Sequence, residues 1–181
     1  MSEAKDTTKA GPAWPQRFPL QSGAVLIVHK PNRFHVSRVE QVLFDKMPEP
    51  PTKEDETFFG KEERSDYQDL NYQVQMMQWR IERGIKLFDF YILEYVGVEG
   101  GVPDDLADLA RTYERMARYG ATPPYDLDDP DERHVGYVRA QMSDEESLLL
   151  QQMLKGELTK EEVAAAEATF PGDVPGATAD E

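Results

Sequence analysis

Nine apolar side chains recur along one line between residues 67 and 95: Tyr67, Leu70, Val74, Met77, Ile81, Ile85, Phe88, Ile92 and Tyr95. The steps are all three or four residues, the period of an α-helix held for about eight turns. Such a helix is roughly 40 Å long at 1.5 Å per residue, so whatever else the chain forms must be arranged around it. The spacing predicts a helix from Tyr67 to Tyr95. Ser65 is the predicted N-cap, Asp66 and Asp69 suit the positive end of the helix dipole, and Gly97, Gly100 and Gly101 are predicted to stop it. Gly84 in its middle costs about 1 kcal/mol against alanine.

The simplest reading puts this stripe in the core, with Ile81, Phe88 and Ile92 buried. Further apolar residues lie off the stripe: Trp79, Leu87, Phe90 and Leu93. Only Asp89 and Glu94 are charged between Leu87 and Tyr95. A helix apolar all round is usually buried by its neighbours. The functional alternative makes the extra residues a partner-binding surface formed by Trp79, Leu87, Phe90, Leu93, Leu149 and Leu150, the last two from the run Leu148–Leu150.

The remaining 3.6-residue patterns are shorter. Pro103, with Asp104 and Asp105 behind it, is predicted to open a second helix that ends at Gly120. Asp129-Pro130 opens a third, carrying Val135, Val138 and Met142. Ser143 with Glu146, and Thr159 with Glu162, match capping boxes before a fourth and a fifth helix, which stop at Gly156 and Pro171. Ala24 to Val28 reads as a buried strand, Lys30 to Arg33 as a turn, and Phe34 to Phe44 as a second strand. The expected fold is therefore mainly α, an α+β chain of about five helices built on one long helix with a small N-terminal β element. Its expected organisation is a tail at 1–17, the β element at 18–46, a proline-rich charged linker at 47–64, the helical domain at 65–172 and an acidic tail at 173–181.

Charge narrows the function. The 181 residues include 35 Asp and Glu against 20 Lys and Arg, a formal charge of −15. Residues 1–64 are balanced, so the whole excess lies from Ser65 onward. A general nucleic-acid binder needs a basic face, and an anionic membrane repels such a chain. Neither nucleic acid nor membrane is an expected partner. The absence of cysteine excludes disulfides, thiol catalysis and Cys-ligated metals. The first twenty residues have no apolar stretch of the secretory type, so the expected location is cytoplasmic.

Chemistry-bearing patterns are weak. Asp126, Asp128, Asp129 and Asp131 resemble the start of a calcium loop, but Asp131 stands where the loop needs glycine and Tyr137 where it needs glutamate. His29 and His35 flank the predicted turn with no third ligand spaced nearby. The serines lack a nucleophile-elbow setting and no glycine-rich phosphate loop follows the strand. The expectation is a protein without catalytic residues, metal or cofactor.

The order of segments is more informative. A short β-rich piece leads to the charged linker, then to the aromatic- and glutamine-rich stretch Tyr67–Trp79. The loop Gly101 to Asp105 follows, then a helix ending Tyr119-Gly120. Ser143 to Glu146 and Leu158 to Val163 lead through an alanine-rich stretch to Phe170. Over residues 22–172 this resembles the tail assembly chaperones encoded near the tape-measure gene of long-tailed bacteriophages. The resemblance implies a non-enzymatic protein in the cytoplasm of a bacterial host. It would bind and solubilise the hydrophobic, helical tape-measure protein during tail assembly, with the tail-tube protein as a further partner. Two other classes fit the same composition. One is a structural tail or head–tail component of the virion; the other is an acidic inhibitor of a basic nucleic-acid-binding protein. The acids at Asp104-Asp105, Asp128-Asp129 and Asp144 to Glu146 stand at predicted helix starts, where the helix dipole already accounts for them.

Overall fold

The computed structural model describes residues 13–57 and 60–156. The chain is mainly α, with a small antiparallel sheet and one long helix. The described residues divide into two compact units, one made of 13–31 and 91–156 and the other of 32–90.

In the first unit, β1 (Gln16–Pro19), β2 (Val25–Val28) and β5 (Val96–Val98) form a three-stranded sheet with β2 in the centre. Phe18 pairs with Leu26, and Val28 with Val96. Strand alternation puts these four side chains on one face, and all four are buried. Val25 and Ile27 point the other way and are half-buried, so β2 is a one-sided strand rather than the fully buried one predicted. The His29 amide donates to the Tyr95 carbonyl at 2.7 Å, and the Glu99 amide to the Val25 carbonyl at 2.9 Å, extending the pairing beyond β5.

Three helices belong to this unit: α3 (Ala107–Arg118), α4 (Pro130–Gln141) and α5 (Asp144–Lys155). Two begin where the sequence predicts. The Asp129 carboxylate accepts from the Asp131 and Glu132 amides, and the Ser143–Glu146 capping box is complete. Gly156 ends α5 with φ +73°, a left-handed conformation that glycine adopts at no steric cost. The third start differs. Pro103 and Asp104 do not open α3, because their carbonyls accept from the Arg133 guanidinium of α4 at 2.8 and 2.7 Å. Held as a loop, they leave Asp105 to accept from the Ala107 amide, where the helix begins. The His134 ring nitrogen Nε2 lies 2.8 Å from the Val96 carbonyl, and since a carbonyl only accepts, Nε2 carries the proton and ties α4 to β5.

The second unit corrects two predictions. Residues 33–44 form helix α1 (Arg33–Phe44), not a strand. The Asn32 side chain accepts from the Phe34 amide at 3.0 Å and nucleates the turn. Val36 and Leu43, seven residues apart, are its buried side chains. The alternation of Phe34 and Val36 is therefore incidental, and Phe34 is exposed. The expected linker at 47–64 contains a hairpin of β3 (Thr52–Thr57) and β4 (Gly60–Ser65). It was invisible to an apolar pattern because it has none. Backbone pairing holds it, with a cross-strand Lys61–Glu54 ion pair at 2.9 Å. The Asp66 amide closes its base on the Pro51 carbonyl at 2.6 Å.

Helix α2 (Leu70–Tyr95) is the longest described element. Ser65 pairs with Thr52 in the hairpin and so cannot cap it. Asp69 takes that role, its carboxylate accepting from the Tyr72 amide at 2.8 Å. At its other end α2 passes directly into β5, and Gly97 pairs with Ile27 within the sheet rather than stopping the helix. The predicted fifth helix and both predicted tails, apart from residues 13–17, lie outside the described residues. Gln16 and Arg17 belong to β1.

Two glycines give opposite expected outcomes. A Cβ at Gly84 would meet nothing within 4 Å, so Gly84→Ala should raise unfolding free energy by up to about 1 kcal/mol. A Cβ at Gly136 would sit 3.2 Å from the Tyr113 hydroxyl and 3.3 Å from the Tyr125 Cβ, so Gly136→Leu should lower it by about 1–3 kcal/mol. Chemical denaturation of both variants checks the signs.

Candidate functional site

The two faces of α2 are exchanged relative to the sequence reading. Tyr72, Met76, Trp79, Arg83, Leu87 and Phe90 recur at helical steps, and each is buried or half-buried. The set predicted as core runs along the opposite side, two residues out of phase. Leu70 is 76% exposed, Met77 58% and Ile81 57%; Val74 and Ile85 are also exposed. The burial expected for Ile81 is thus overturned, whereas Phe88 and Ile92 are buried as expected. The same stripe is open over four turns and enters the core only at the end.

Trp79 shows what fixes the inward face. Its indole N–H donates to the Leu43 carbonyl of α1 at 3.2 Å, and its ring meets Phe44 edge-on at 6.1 Å. The Arg83 guanidinium lies over the ring, 5.6 Å from its centre. An indole finds both a polar partner and apolar contact in this position, which an aliphatic side chain cannot exploit.

The predicted partner-binding residues differ in exposure. Trp79, Leu87 and Phe90 are half-buried, Leu93 is exposed, Leu149 is half-buried and Leu150 is fully buried. In the leucine run it is Leu148 that faces solvent. The residues missed by the sequence reading are Leu70, Val74, Met77, Ile81 and Ile85. From Leu70 to Ile81 the only charged residue is Arg80, but residues 7–39 also hold no carboxylate, so that feature does not single the stripe out.

The acids of the calcium-like run have local partners. Asp126 accepts from the Asp128 amide, and Glu132 accepts from the Asp126 amide, so the calcium-like run is a turn and a helix cap. Among the described residues no three His, Asp or Glu side chains converge in a metal-binding group. A surface depression of about 500 Å³ lies along α3, walled by Arg111, Arg115 and Arg118. Arg111 pairs with Asp108, Arg118 with Glu114, and Arg115 donates to the Thr112 hydroxyl. Burial raises the pKa of the Tyr113 hydroxyl above its ordinary value. None of these groups forms a positioned nucleophile–base pair. Among the described residues no helix is long and apolar enough to cross a membrane. The chain matches no family model, no curated protein and no solved structure.

Proposed function

We propose that this chain is a non-enzymatic tail assembly chaperone whose α2 stripe docks a hydrophobic helix of a tape-measure-like protein. The observation that supports this reading is the run Leu70, Val74, Met77, Ile81 and Ile85, large and exposed at steps of four, three, four and four. Those steps match the anchor spacing of helix-against-helix docking. Covering the open parts of five aliphatic side chains contributes roughly 4–8 kcal/mol. Association costs at least about 4 kcal/mol, so the net affinity is modest. Weak, reversible binding suits a protein that must leave when tube subunits arrive. The formal charge of −15 keeps a complex with a sticky client dispersed. The place of action under this reading is the cytoplasm of the bacterial host.

Co-expression with a tape-measure-like protein tests it. The client should be soluble with the wild-type chain and insoluble with a Val74→Asp, Ile81→Asp double variant. Both substitutions sit on the exposed face, so helix content should be unchanged by circular dichroism. A client that is insoluble alongside the wild type, or soluble alongside the double variant, would remove the basis for this function.

A further inference from the structure

The exposed stripe is nearly symmetric about its own centre. Leu70 and Ile85 stand at the ends, Val74 and Ile81 inside them, and Met77 in the middle. Turned antiparallel about Met77, a second α2 would set Met77 opposite Met77, and would bring Ile85 within one residue, about 1.5 Å along the axis, of Leu70, and Ile81 within one residue of Val74. Leu70, Val74, Met77 and Ile81 are also spaced by four, three and four, the alternation of a short helix-on-helix seam.

Charge favours the same occupant. Asn71, Gln73, Gln75 and Gln78 flank the first half of the stripe, and an antiparallel partner lays them along its second half, where Arg80, Glu82 and Lys86 stand, so like charges do not meet. Most of the acids follow the stripe in sequence. Residues 91–181 hold twenty-one acidic side chains against seven basic ones. A parallel pair would bring the carboxy-terminal ends of two α2 helices, and the start of both acidic segments, side by side. An antiparallel pair puts those ends at opposite ends of a seam roughly 24 Å long, more than two screening lengths apart at physiological salt.

We propose that in the free protein this face is covered by the same face of a second copy, packed antiparallel about Met77, and that the client helix displaces that copy. The dimer stands on α2 alone; its exchange for a client rests on the function proposed above. The stripe would then never be open to unrelated apolar surfaces before the client arrives.

The chain has no cysteine, so single thiols report the geometry directly. Sedimentation of the full chain should show a dimer that Ile81→Asp converts to a monomer of unchanged helix content. On oxidation, Met77→Cys should form a disulfide-linked dimer. Leu70→Cys alone should stay unlinked, whereas Leu70→Cys mixed with Ile85→Cys should cross-link. Self-linking of Leu70→Cys would overturn the antiparallel arrangement. A monomer at every concentration would overturn the dimer, whether the thiol of the Met77→Cys variant reacts rapidly with a labelling reagent or is shielded by this chain's own residues. Adding a soluble segment of a tape-measure-like helix should dissolve the wild-type dimer into a one-to-one complex. A monomer that binds this segment sinks the dimer and leaves the docking function standing; a dimer that the segment cannot open sinks the exchange and that function together.

Discussion

Ile92→Ala is expected to lower the unfolding free energy by about 2–5 kcal/mol, and Ile81→Ala to change it by no more than about 0.5 kcal/mol. The two residues share a type, a helix and a stripe. They differ in burial: Ile92 is 0% exposed and Ile81 57%. Truncating Ile92 opens a void among side chains that cannot collapse to fill it. Truncating Ile81 removes surface that water already touches. Chemical denaturation of both variants, monitored at a protein concentration where the chain is monomeric, measures the contrast. Equal losses would mean that the whole stripe is core.

Glu146→Ala is expected to destabilise by about 3–5 kcal/mol. Its carboxylate is 1% exposed, the sole charged group recorded in the described core. One oxygen accepts from the Gln21 amide at 2.6 Å, between β1 and β2. The other accepts from the Ser143 amide at 2.8 Å and closes the capping box of α5. Removing the carboxylate strands two backbone donors at once. Ser143→Ala, which removes only the hydroxyl end of the box, should cost about 1 kcal/mol. Glu146→Gln keeps the shape and one acceptor oxygen but turns an amide donor toward one of the two N–H groups, so it should fall between them. Denaturation midpoints of the three variants give the order, and an unaltered midpoint for Glu146→Ala would show that the link between the β1–β2 turn and α5 carries no stability.

Much of this fold is legible from short-range chemistry. The α4 and α5 starts follow from capping contacts of Asp129, Ser143 and Glu146 that span only two or three residues along the chain. The period of α2 is likewise local. What local patterns cannot resolve is which side of a two-sided helix faces inward. Tyr72, Trp79 and Phe90 on one face, and Val74, Ile81 and Ile85 on the other, both repeat at helical steps. The choice depends on Leu43 and Phe44, more than thirty residues away from Trp79. The displaced start of α3 has a similar origin, since Arg133 takes the carbonyls of Pro103 and Asp104 from about thirty residues downstream. The hairpin of β3 and β4 escaped for a different reason: its strands carry charged and Thr side chains in place of an alternating apolar face.

In the proposed function a client helix is held by apolar contact on the open face of α2, not by the acidic surface. The salt dependence of binding decides between the two. A soluble segment of a tape-measure-like helix can be titrated against the chain at about 0.05 M and about 0.5 M salt, a range over which the screening length shortens roughly threefold. Apolar docking predicts dissociation constants that agree within a factor of about two, and loss of binding in the Val74→Asp, Ile81→Asp variant at both salts. Binding that weakens more than tenfold at the higher salt and survives in that variant would contradict the account and transfer the function to the acidic face.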